Sequence, residues 1–449
     1  MADAGAVAAL AMQTRAALRH HRRLHLPDEK NLPMLSAQLF EAALGLGKPW
    51  YVTTVDFDQA KRTLTIGIDF EAGARFAAPG VEGQHPVHDT QIKRYRHLNF
   101  FQHECMLEVR VPRVKLPDGG VVLVEPGWAG KLSGFTLLFE ALIFMMCREM
   151  PFAAVARIVN VSPYRVQALC EKYVQLAEAQ ADLSDLSALA IDETSYRRGH
   201  CYVTLAADAA PDPEKRRVVF VTEGREAAAI EKLAQHLTER GAYPEQIVEV
   251  SIDMSAAYIA GVTARLPNAR ITFDKFHVVA HASAAIDKTR RAEQKTDPSL
   301  KGMRWLLLKD TAKLSNEQFA ALQSLLANVE TKRTARAWQQ REQLRQILDC
   351  RQPNVMRCAL RRWCTNVMRS RVEPMKEVVR MIRNHFEGIV AWARSRQTNG
   401  FLEALNGLFQ AAKRRARGYV RFETIRTVIL LIAGKLDYSK VNPHAVQPT

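Results

Sequence analysis

Two aspartates stand where short apolar segments of the sequence end. The run 189–191 stops at Asp192, and the alternating segment 247–252 stops at Asp253. Such segments predict β-strands, so each carboxylate is expected at the C-terminal end of a strand. There the two acids could share a divalent metal ion, or each could cap the helix that follows it. A metal site would need a third ligand, and these two segments alone do not supply one.

The segments around these acids predict an alternation of strands and helices. We expect a hairpin with its turn at Arg197-Arg198-Gly199-His200, then a third strand, a helix, the strand ending at Asp253, a second helix and a last strand. After the turn, the remaining predicted bounds are Cys201–Ala207, Arg217–Thr222, Arg225–Arg240, Ser255–Leu266 and Ala269–Phe273. The order β-β-β-α-β-α-β matches the ribonuclease-H-like α/β fold, in which the first and fourth strands are adjacent and parallel. That fold would bring Asp192 and Asp253 together.

The composition restricts the classes of partner. The 449 residues carry a formal net charge of +16, which favours a polyanion, most simply nucleic acid. The best candidate for a membrane span, 135–147, is too short and contains Glu140. Seven cysteines without a C-x-x-C motif are typical of free thiols in a reducing compartment. We therefore expect a cytoplasmic, nucleoid-associated protein that does not enter a membrane.

The N-terminal part of the sequence contains two regions. Residues 1–38 are Ala-rich at first and basic later, and we expect an arm to which no structure is assigned. Residues 39–130 predict a small, basic β module. Its expected strands are Tyr51–Phe57, Thr63–Phe70, Met106–Val114 and Val121–Val124.

Residues 131–180 contain a helix-turn-helix pattern. A short helix is expected to end at Asn160, and Ser162 can cap a second helix with Pro163 at its first position. On the second helix Val166 and Leu169 would face inward. The residues expected to reach DNA are Tyr164, Arg165 and Gln167. Ordinary helical hairpins can show the same pattern, so the pattern alone does not decide.

Residues 281–395 predict a long, basic and all-helical segment. After it, one more helix opens at 398–400 and places Glu403 and Asn406 one turn apart on the same face. A basic ridge extends that helix and consists of Lys413, Arg414, Arg415 and Arg417. A lone glutamate on a helix is usually a solvated residue, so Glu403 becomes a candidate ligand only through the sequence around it.

Taken together, these segments resemble the ISL-three family of bacterial insertion-sequence transposases, from about Leu39 to about Gly434. The most specific pieces are IDE at 191–193, IDMS at 252–255, FDKFH at 273–277 and the helix opening at 398–406, with the basic stretch 413–422 also similar. The resemblance implies a DDE enzyme whose catalytic and metal-binding acids are Asp192, Asp253 and Glu403.

The architecture implied by the resemblance is an α/β ribonuclease-H-like catalytic core with a long all-helical insertion, preceded by a small β module and a helix-turn-helix. The core would comprise residues 186–280 and 396–436, interrupted by the insertion 281–395. Residues 437–449 would form a tail.

The chemistry of such enzymes explains these residue types. Phosphodiester hydrolysis and strand transfer need an oxygen nucleophile in line with the leaving oxygen. Two Mg²⁺ (or Mn²⁺) ions can activate the nucleophile and neutralise charge on the leaving group. Mg²⁺ prefers carboxylate oxygens. By resemblance, Asp192 would bridge both ions, and Asp253 and Glu403 would hold one each.

Three further residues lie beside these acids in the family-like motifs. Asp274 is expected either to support the ligands or to cap a helix. His277 is expected either to contact DNA or to satisfy a hydrogen bond in the core. Asn406 is grouped with them as a residue that could support the ligands.

The resemblance implies a transposase that binds the terminal inverted repeats of an insertion sequence and catalyses metal-dependent DNA cleavage and strand transfer. We expect a homodimer or higher oligomer on DNA. The alternative is a non-catalytic DNA-binding regulator or domesticated relative. It would share the basic charge and the helix-turn-helix but would not require all three acids.

One part of the chain departs from the family pattern. Relatives commonly carry paired C-x-x-C motifs in a zinc ribbon, but the corresponding places, 76–80 and 115–119, contain no cysteine. We therefore expect the β module to fold without zinc. Its stability is expected to come from burial of Trp50, Tyr51, Phe57, Ile66 and Phe70. The alternative zinc ligands would be His85, His88, His103 and Cys105.

Overall fold

The computed structural model describes residues 32–132, 134–197, 201–309, 311–327, 333–397 and 399–445. The chain divides into two compact units, one ending at Leu142 and one beginning at Ile143. Most of the predicted arm, residues 1–31, lies outside the described residues, as does most of the predicted hairpin turn, 198–200. Helix α1 (Leu32–Leu44) crosses the predicted end of the arm at residue 38. None of the described helices is both long and apolar enough to span a bilayer.

The N-terminal unit is built on a six-stranded sheet. Its strands are β1 (Trp50–Asp58), β2 (Thr63–Phe70), β3 (Arg75–Ala78), β4 (Val81–Phe100), β5 (His103–Lys115) and β6 (Val121–Leu123). They lie in the order β1-β2-β5-β4-β3, and β6 pairs with β5. The β2–β5 pair is parallel and the other pairs are antiparallel. The four predicted strands are therefore present, joined into one sheet.

Strand β4 is absent from the predicted elements. It pairs with β5 from Val87↔Val114 to Phe100↔His103, so it is one of the main strands of the sheet. Most of its residues are exposed and polar. Because period-two reading depends on apolar residues that alternate, it misses a strand held mainly by backbone hydrogen bonds.

The core of this unit is formed by residues such as Ile66, Leu107 and Val109, all at most 1% exposed. Two residues predicted to be buried are instead on the surface: Tyr51 is 39% exposed and Phe57 is 47% exposed. Both lie on β1, an edge strand that turns Val52 toward the core. Of the other residues predicted to be buried, Ile66 and Phe70 are buried and Trp50 is half-buried.

The four alternative zinc ligands lie on β4 and β5. His85 and Cys105 are buried, whereas His88 is half-exposed beside Asp89. The ring of His103 packs on Phe57, with centroids 4.5 Å apart. Folding of the module without zinc remains a prediction.

The C-terminal unit is mainly helical around a five-stranded sheet. The helices from α2, at the division between the units, to α8 are α2 (Leu137–Glu149), α3 (Phe152–Val159), α4 (Pro163–Ala179), α5 (Ala227–Thr238), α6 (Ala256–Arg265), α7 (Lys275–Glu293) and α8 (Arg304–Leu308). The remaining helices are α9 (Asn316–Leu326), α10 (Arg333–Leu348), α11 (Pro353–Met368), α12 (Glu373–Asn384), α13 (Phe386–Ser395), α14 (Gly400–Arg415) and α15 (Phe422–Ala433). Short 3₁₀ helices occupy Pro244–Gln246, Pro298–Leu300 and Thr311–Lys313.

The sheet of this unit has the order β11-β10-β7-β8-β9. Its strands are β7 (Ala188–Arg197), β8 (Cys201–Asp208), β9 (Val218–Glu223), β10 (Glu249–Ile252) and β11 (Arg270–Phe273). Strands β7, β8 and β9 pair antiparallel, whereas β7–β10 and β10–β11 are parallel. The prediction that the first and fourth strands are adjacent and parallel is confirmed.

One prediction about β7 is wrong: Asp192 does not lie at the end of the strand. Pairing with β8 continues beyond Asp192 as far as Arg197↔Cys201. Pairing with β10 stops at Ala190, opposite Ser251. Asp192 is therefore in the middle of β7, just past the point where the parallel neighbour ends.

The long helical segment is continuous with the sheet. Helix α7 starts directly after β11 and crosses the predicted boundary at 280/281. A single buried apolar cluster extends from Leu183 to Val390, so sheet and helices share one core. At its far end α13 packs against β11, where Gly388 lies against the ring of Phe273.

The predicted tail, described as far as Ala445, packs on the helices rather than extending away from them. Asn442 Nδ2 donates a hydrogen bond of 2.6 Å to the hydroxyl of Tyr173 on α4. The ring of Tyr438 lies against Phe144 of α2, with centroids 4.5 Å apart. The tail is thus part of the structure that supports α4.

We expect Gly388→Ala to destabilise the chain. A Cβ at this position would lie 2.5 Å from a ring carbon of Phe273, and relief of such a clash typically costs about 1–3 kcal/mol. The matched control is Gly407→Ala in α14, where a Cβ would have nothing within 4 Å. The control should be neutral or more stable by up to about 1 kcal/mol. Urea unfolding measures the stability of both variants. Equal unfolding midpoints for Gly388→Ala and Gly407→Ala would contradict the expected packing of α13 on β11.

Candidate active site

Asp192 occupies the central strand of the sheet and is only 8% exposed. Its Oδ1 accepts a hydrogen bond of 2.8 Å from the backbone amide of Glu193. Burial raises the pKa of the Asp192 carboxyl to about 6, and the negative charge of Asp253 acts in the same direction. The positive form of His277, in the first turn of α7, opposes this rise. Three of the predicted site residues are therefore neighbours.

Asp253 forms a hydrogen bond at the start of the helix that follows it, whereas a metal ion shared with Asp192 remains a prediction. Asp253 follows β10 directly, and its Oδ1 accepts a hydrogen bond of 3.0 Å from the backbone amide of Ser255, at the start of α6. It therefore organises the turn into that helix. At the same time its charge acts on Asp192, and the parallel register Ser251↔Ala190 places the two acids on neighbouring strands, just past the end of that pairing.

One face of α14 is hydrogen-bonded along β7. Three side-chain amides donate, each to a successive part of the strand: Asn399 Nδ2 to the Ile191 carbonyl at 3.3 Å, Asn406 Nδ2 to Oδ2 of Asp192 at 3.5 Å, and Gln410 Nε2 to the Ser195 carbonyl at 3.1 Å. The helix and the strand therefore run in the same direction.

Glu403 lies on this same face of α14. The positions 399, 403, 406 and 410 are four, three and four residues apart, the spacing that places side chains along one stripe of a helix. Glu403 thus stands between two residues that contact β7, one of them bonded to Asp192. Its own side chain is exposed to solvent.

Asp274 is a helix cap with a second bond. Its Oδ1 accepts from the backbone amide of Phe276 at 2.9 Å and so caps α7. Its Oδ2 accepts from the backbone amide of Asn399 at 2.6 Å, across 125 residues of chain. Both Asp274 and Asn399 are fully buried. The capping alternative for Asp274 is therefore met.

The donors around Asp192 fit a hard divalent cation. Asp192 and Asp253 supply carboxylate oxygens, the ligands that Mg²⁺ and Mn²⁺ prefer. Beside them, Asn406 Oδ1 and His277 Nε2 are buried and have no hydrogen-bond partner among the described residues. No three His, Cys, Asp or Glu side chains in the described part of the chain are close enough to form a metal site by themselves. Glu403 therefore lies on a helix that contacts Asp192, but its carboxylate does not form a three-acid cluster with Asp192 and Asp253.

Sequence reasoning missed three residues of this region. Asn399 and Gln410 could have been found from their helical spacing with Glu403 and Asn406. Tyr258 on α6 is buried, and its hydroxyl lies 2.8 Å from Thr204 Oγ1. Burial raises the pKa of Tyr258, and the charges of the nearby acids add to this effect. A tyrosine in an apolar helix carries no local signal for such a position.

The predicted helix-turn-helix has the expected local geometry. Helix α3 is followed by Asn160 in the left-handed conformation, with φ 54°. The side chain of Ser162 accepts from the backbone amide of Arg165, and Pro163 is the first residue of α4. Val166 and Leu169 are fully buried. The turn chemistry of this short segment was therefore readable from the sequence.

The three predicted DNA-reading residues differ in their placement. Tyr164 is 72% exposed and Arg165 is half-buried. Gln167 Nε2 instead donates to Glu171 at 2.6 Å and to Thr424 on α15 at 2.8 Å. The expectation that Gln167 is free to reach DNA is therefore wrong for its amide nitrogen, because that group joins α4 to α15.

The basic ridge lies at the C-terminal end of α14. Lys413 and Arg415 belong to the last turn of the helix, together with Arg414, and Arg417 follows it with φ 61°. Of these residues, Arg414, Arg415 and Arg417 are exposed and Lys413 is half-buried. Cations in the last turn also stabilise the helix through its macrodipole.

We expect Asp192→Asn to raise the melting temperature of the metal-free chain at about pH 7.5. The folded chain holds the Asp192 proton more tightly than the unfolded chain, since its pKa is about 6 instead of 3.8. Stability is therefore lost as the pH rises from about 4 to about 6, and it stays low above that. The gain in the variant should approach about 2–3 kcal/mol and vanish near pH 4.

The control for this measurement is Asp58→Asn. A hydrogen bond from Lys61 holds the pKa of Asp58 below its usual value, so this variant should gain no stability above pH 6. Melting curves from about pH 4 to pH 8 compare the two variants. A pH-independent effect of Asp192→Asn would show that burial of the charge is not the cause.

Comparison with known families places these features in a wider group. The DDE model of family ISL3, described as a transposase, matches residues 189–429, which is more than half of the chain. The model described as the helix-turn-helix domain of transposase family ISL3 matches residues 124–174. The first match contains all three predicted acids, and the second contains α3 and most of α4.

Two relatives extend the similarity over most of the chain. The transposase for insertion sequence element IS1001 of Bordetella parapertussis is 27% identical over 398 residues, covering 86% of this chain and 95% of that protein. The transposase for insertion sequence element IS1557 of Mycobacterium tuberculosis is 27% identical over 423 residues, covering 86% and 93%. The chain therefore belongs to the ISL3 family of DDE transposases.

Proposed function

We propose that this transposase cuts and joins the ends of its own insertion sequence with Asp192, Asp253 and Glu403. Two observations carry the proposal. Asp192 and Asp253 lie on neighbouring strands, just past the end of the β7–β10 pairing. The helix that contains Glu403, α14, is hydrogen-bonded along β7. The order of three antiparallel strands followed by two parallel ones supports a ribonuclease-H-like core.

The proposed role of each residue at this site follows from its surroundings. Buried Asp192, together with Asp253 and Glu403, would supply the carboxylate oxygens that bind the metal ions. A pair of Mg²⁺ or Mn²⁺ ions bound there would supply Lewis-acid activation of the nucleophile and neutralise charge on the leaving oxygen. Asn406, bonded to Asp192, would keep the orientation of that carboxylate. His277 lies near the same carboxylate, and its buried Nε2 would be available to a ligand there.

DNA would be bound in two ways. Tyr164 and Arg165 at the start of α4 would contact base edges in the terminal inverted repeats. The ridge at the end of α14 would contact phosphates without regard to sequence. A homodimer or higher oligomer on double-stranded DNA would hold two ends together, at the nucleoid in the cytoplasm.

Substitution of each acid by its amide tests the catalytic part. Asp192→Asn, Asp253→Asn and Glu403→Gln should each reduce Mg²⁺-dependent cleavage and strand transfer by at least about 100-fold, while binding of the element's ends stays within about twofold. The matched control is Asp208→Asn, because Asp208 is an equally buried acid, 6% exposed, on the neighbouring strand β8. Near-normal strand transfer by any one of the three variants would remove that residue from the proposal.

A parallel experiment tests recognition of the ends. Tyr164→Ala or Arg165→Ala should weaken binding to the terminal repeats more than binding to random DNA, since base contacts carry the specificity. Arg414→Ala should weaken both equally and reduce the salt dependence of binding. Binding isotherms at several salt concentrations compare them. Equal losses on both DNAs for the α4 variants would show that α4 does not read the sequence.

A further inference from the structure

The carboxylate of Asp274 lies at the start of two helices that are distant in sequence. One oxygen accepts from the amide of Phe276 and caps α7, and the other accepts from the amide of Asn399, the N-cap residue of α14. Backbone amides at the starts of both helices thus donate to the same buried side chain. The residue is fully buried, so these bonds replace the water that an ionised carboxylate would otherwise hold.

Asn399 links Asp274 to the central strand, β7. While its backbone amide donates to Asp274, its side chain donates to the carbonyl of Ile191, the residue before Asp192. The first turn of α14 is thus fixed at once to the end of β11 and to the middle of β7. We call this set of bonds, formed by Asp274, Asn399 and Ile191, the α14 bracket.

Glu403 depends on the bracket through one turn of helix. Its backbone amide donates to the Asn399 carbonyl at 2.8 Å, the first α-helical bond of α14. A shift of Asn399 therefore moves Glu403 directly. The other hydrogen bonds of α14 with β7, from Asn406 and Gln410, lie further along the helix, at 3.5 and 3.1 Å.

We propose that Asp274 is a positioning residue that, through the α14 bracket, sets where Glu403 stands relative to Asp192 and Asp253. This inference rests on the proposed function, because it gives Glu403 the role of a metal ligand. Asp274 itself needs no contact with DNA or metal. Its carboxylate instead binds the start of α14, the helix that follows the long helical segment.

Binding of Mn²⁺, followed by electron paramagnetic resonance of the free ion, tests the proposal without any measurement of activity. Asp274→Asn keeps an oxygen for the cap of α7 but turns an amide donor toward the Asn399 amide. Loss of such a supporting partner typically weakens metal binding about 10–100-fold. Glu403→Gln should weaken binding to a similar degree, and the double variant Asp274→Asn/Glu403→Gln should bind no more weakly than either single variant.

The control is Asp297→Asn. Asp297 also caps a helix, by accepting from the amide of Ser299 at 3.1 Å at the start of Pro298–Leu300, and it is not one of the three residues of the α14 bracket. Its Mn²⁺ affinity should remain within about twofold of the parent chain. An equal loss in this control would mean that removal of any cap has the effect, and the proposal would be overturned.

The outcomes separate the bracket from the proposed function. If Glu403→Gln weakens Mn²⁺ binding and Asp274→Asn does not, or if the two losses add in the double variant, the bracket is wrong and the function stands. If neither Glu403→Gln nor Asp192→Asn changes Mn²⁺ binding, the assignment of the acids fails first. Should Asp274→Asn fail to fold, Asn399→Ala tests the same idea, since it removes only the bond to Ile191. It should weaken binding non-additively with Glu403→Gln, and unchanged affinity would overturn the proposal.

Discussion

Parallel pairing between β7 and β10 ends at Ala190 and Ser251, and the geometry of the active site depends on that end. Beyond it, β7 keeps β8 on one side but has lost its strand neighbour on the other. Backbone carbonyls left without a strand partner must find other donors. Side-chain amides of α14 serve the carbonyls of Ile191 and Ser195, so the helix continues the role of the missing strand. Asp192 lies between these two bonds, which is why a carboxylate can be held inside the sheet beside a second acid.

The sequence predicted this arrangement in part, and the physical reasons for the failures are specific. Apolar runs and alternation revealed β7 to β11, because their residues are largely buried, whereas the same patterns missed the polar strand β4. Asp192 was expected at a strand end because the apolar run stops there, but the hairpin with β8 continues as far as Arg197↔Cys201. The capping chemistry of Asn160 and Ser162 is local and was readable. The inward bond of Gln167 to Thr424 spans 257 residues, and nothing near either residue announces it.

The proposed role of Glu403 also depends on contacts between residues that are distant in sequence. On its own helix it is an ordinary exposed acid. Its proposed role depends on Asp274, 125 residues before Asn399, which holds the start of α14 against the sheet. The intervening helices share one buried core with the sheet, so they do not hang from it as a separate body. Because of this shared core, a long helical segment can separate Asp253 from Glu403 in sequence while α14 keeps a fixed position on the sheet.

The support of α4 by the end of the chain has a consequence for synthesis. Gln167 bonds to Thr424, Glu178 is paired with Arg426, and the hydroxyl of Tyr173 accepts from Asn442. A ribosome makes α4 some 257 residues before Thr424, an interval of roughly 13–50 s at ~5–20 residues per second. During that time α4 exists without these three partners. The contacts that support α4 are therefore completed only after Glu403, the last of the three proposed acids, has been made, and a nascent chain that ends before Thr424 lacks all three.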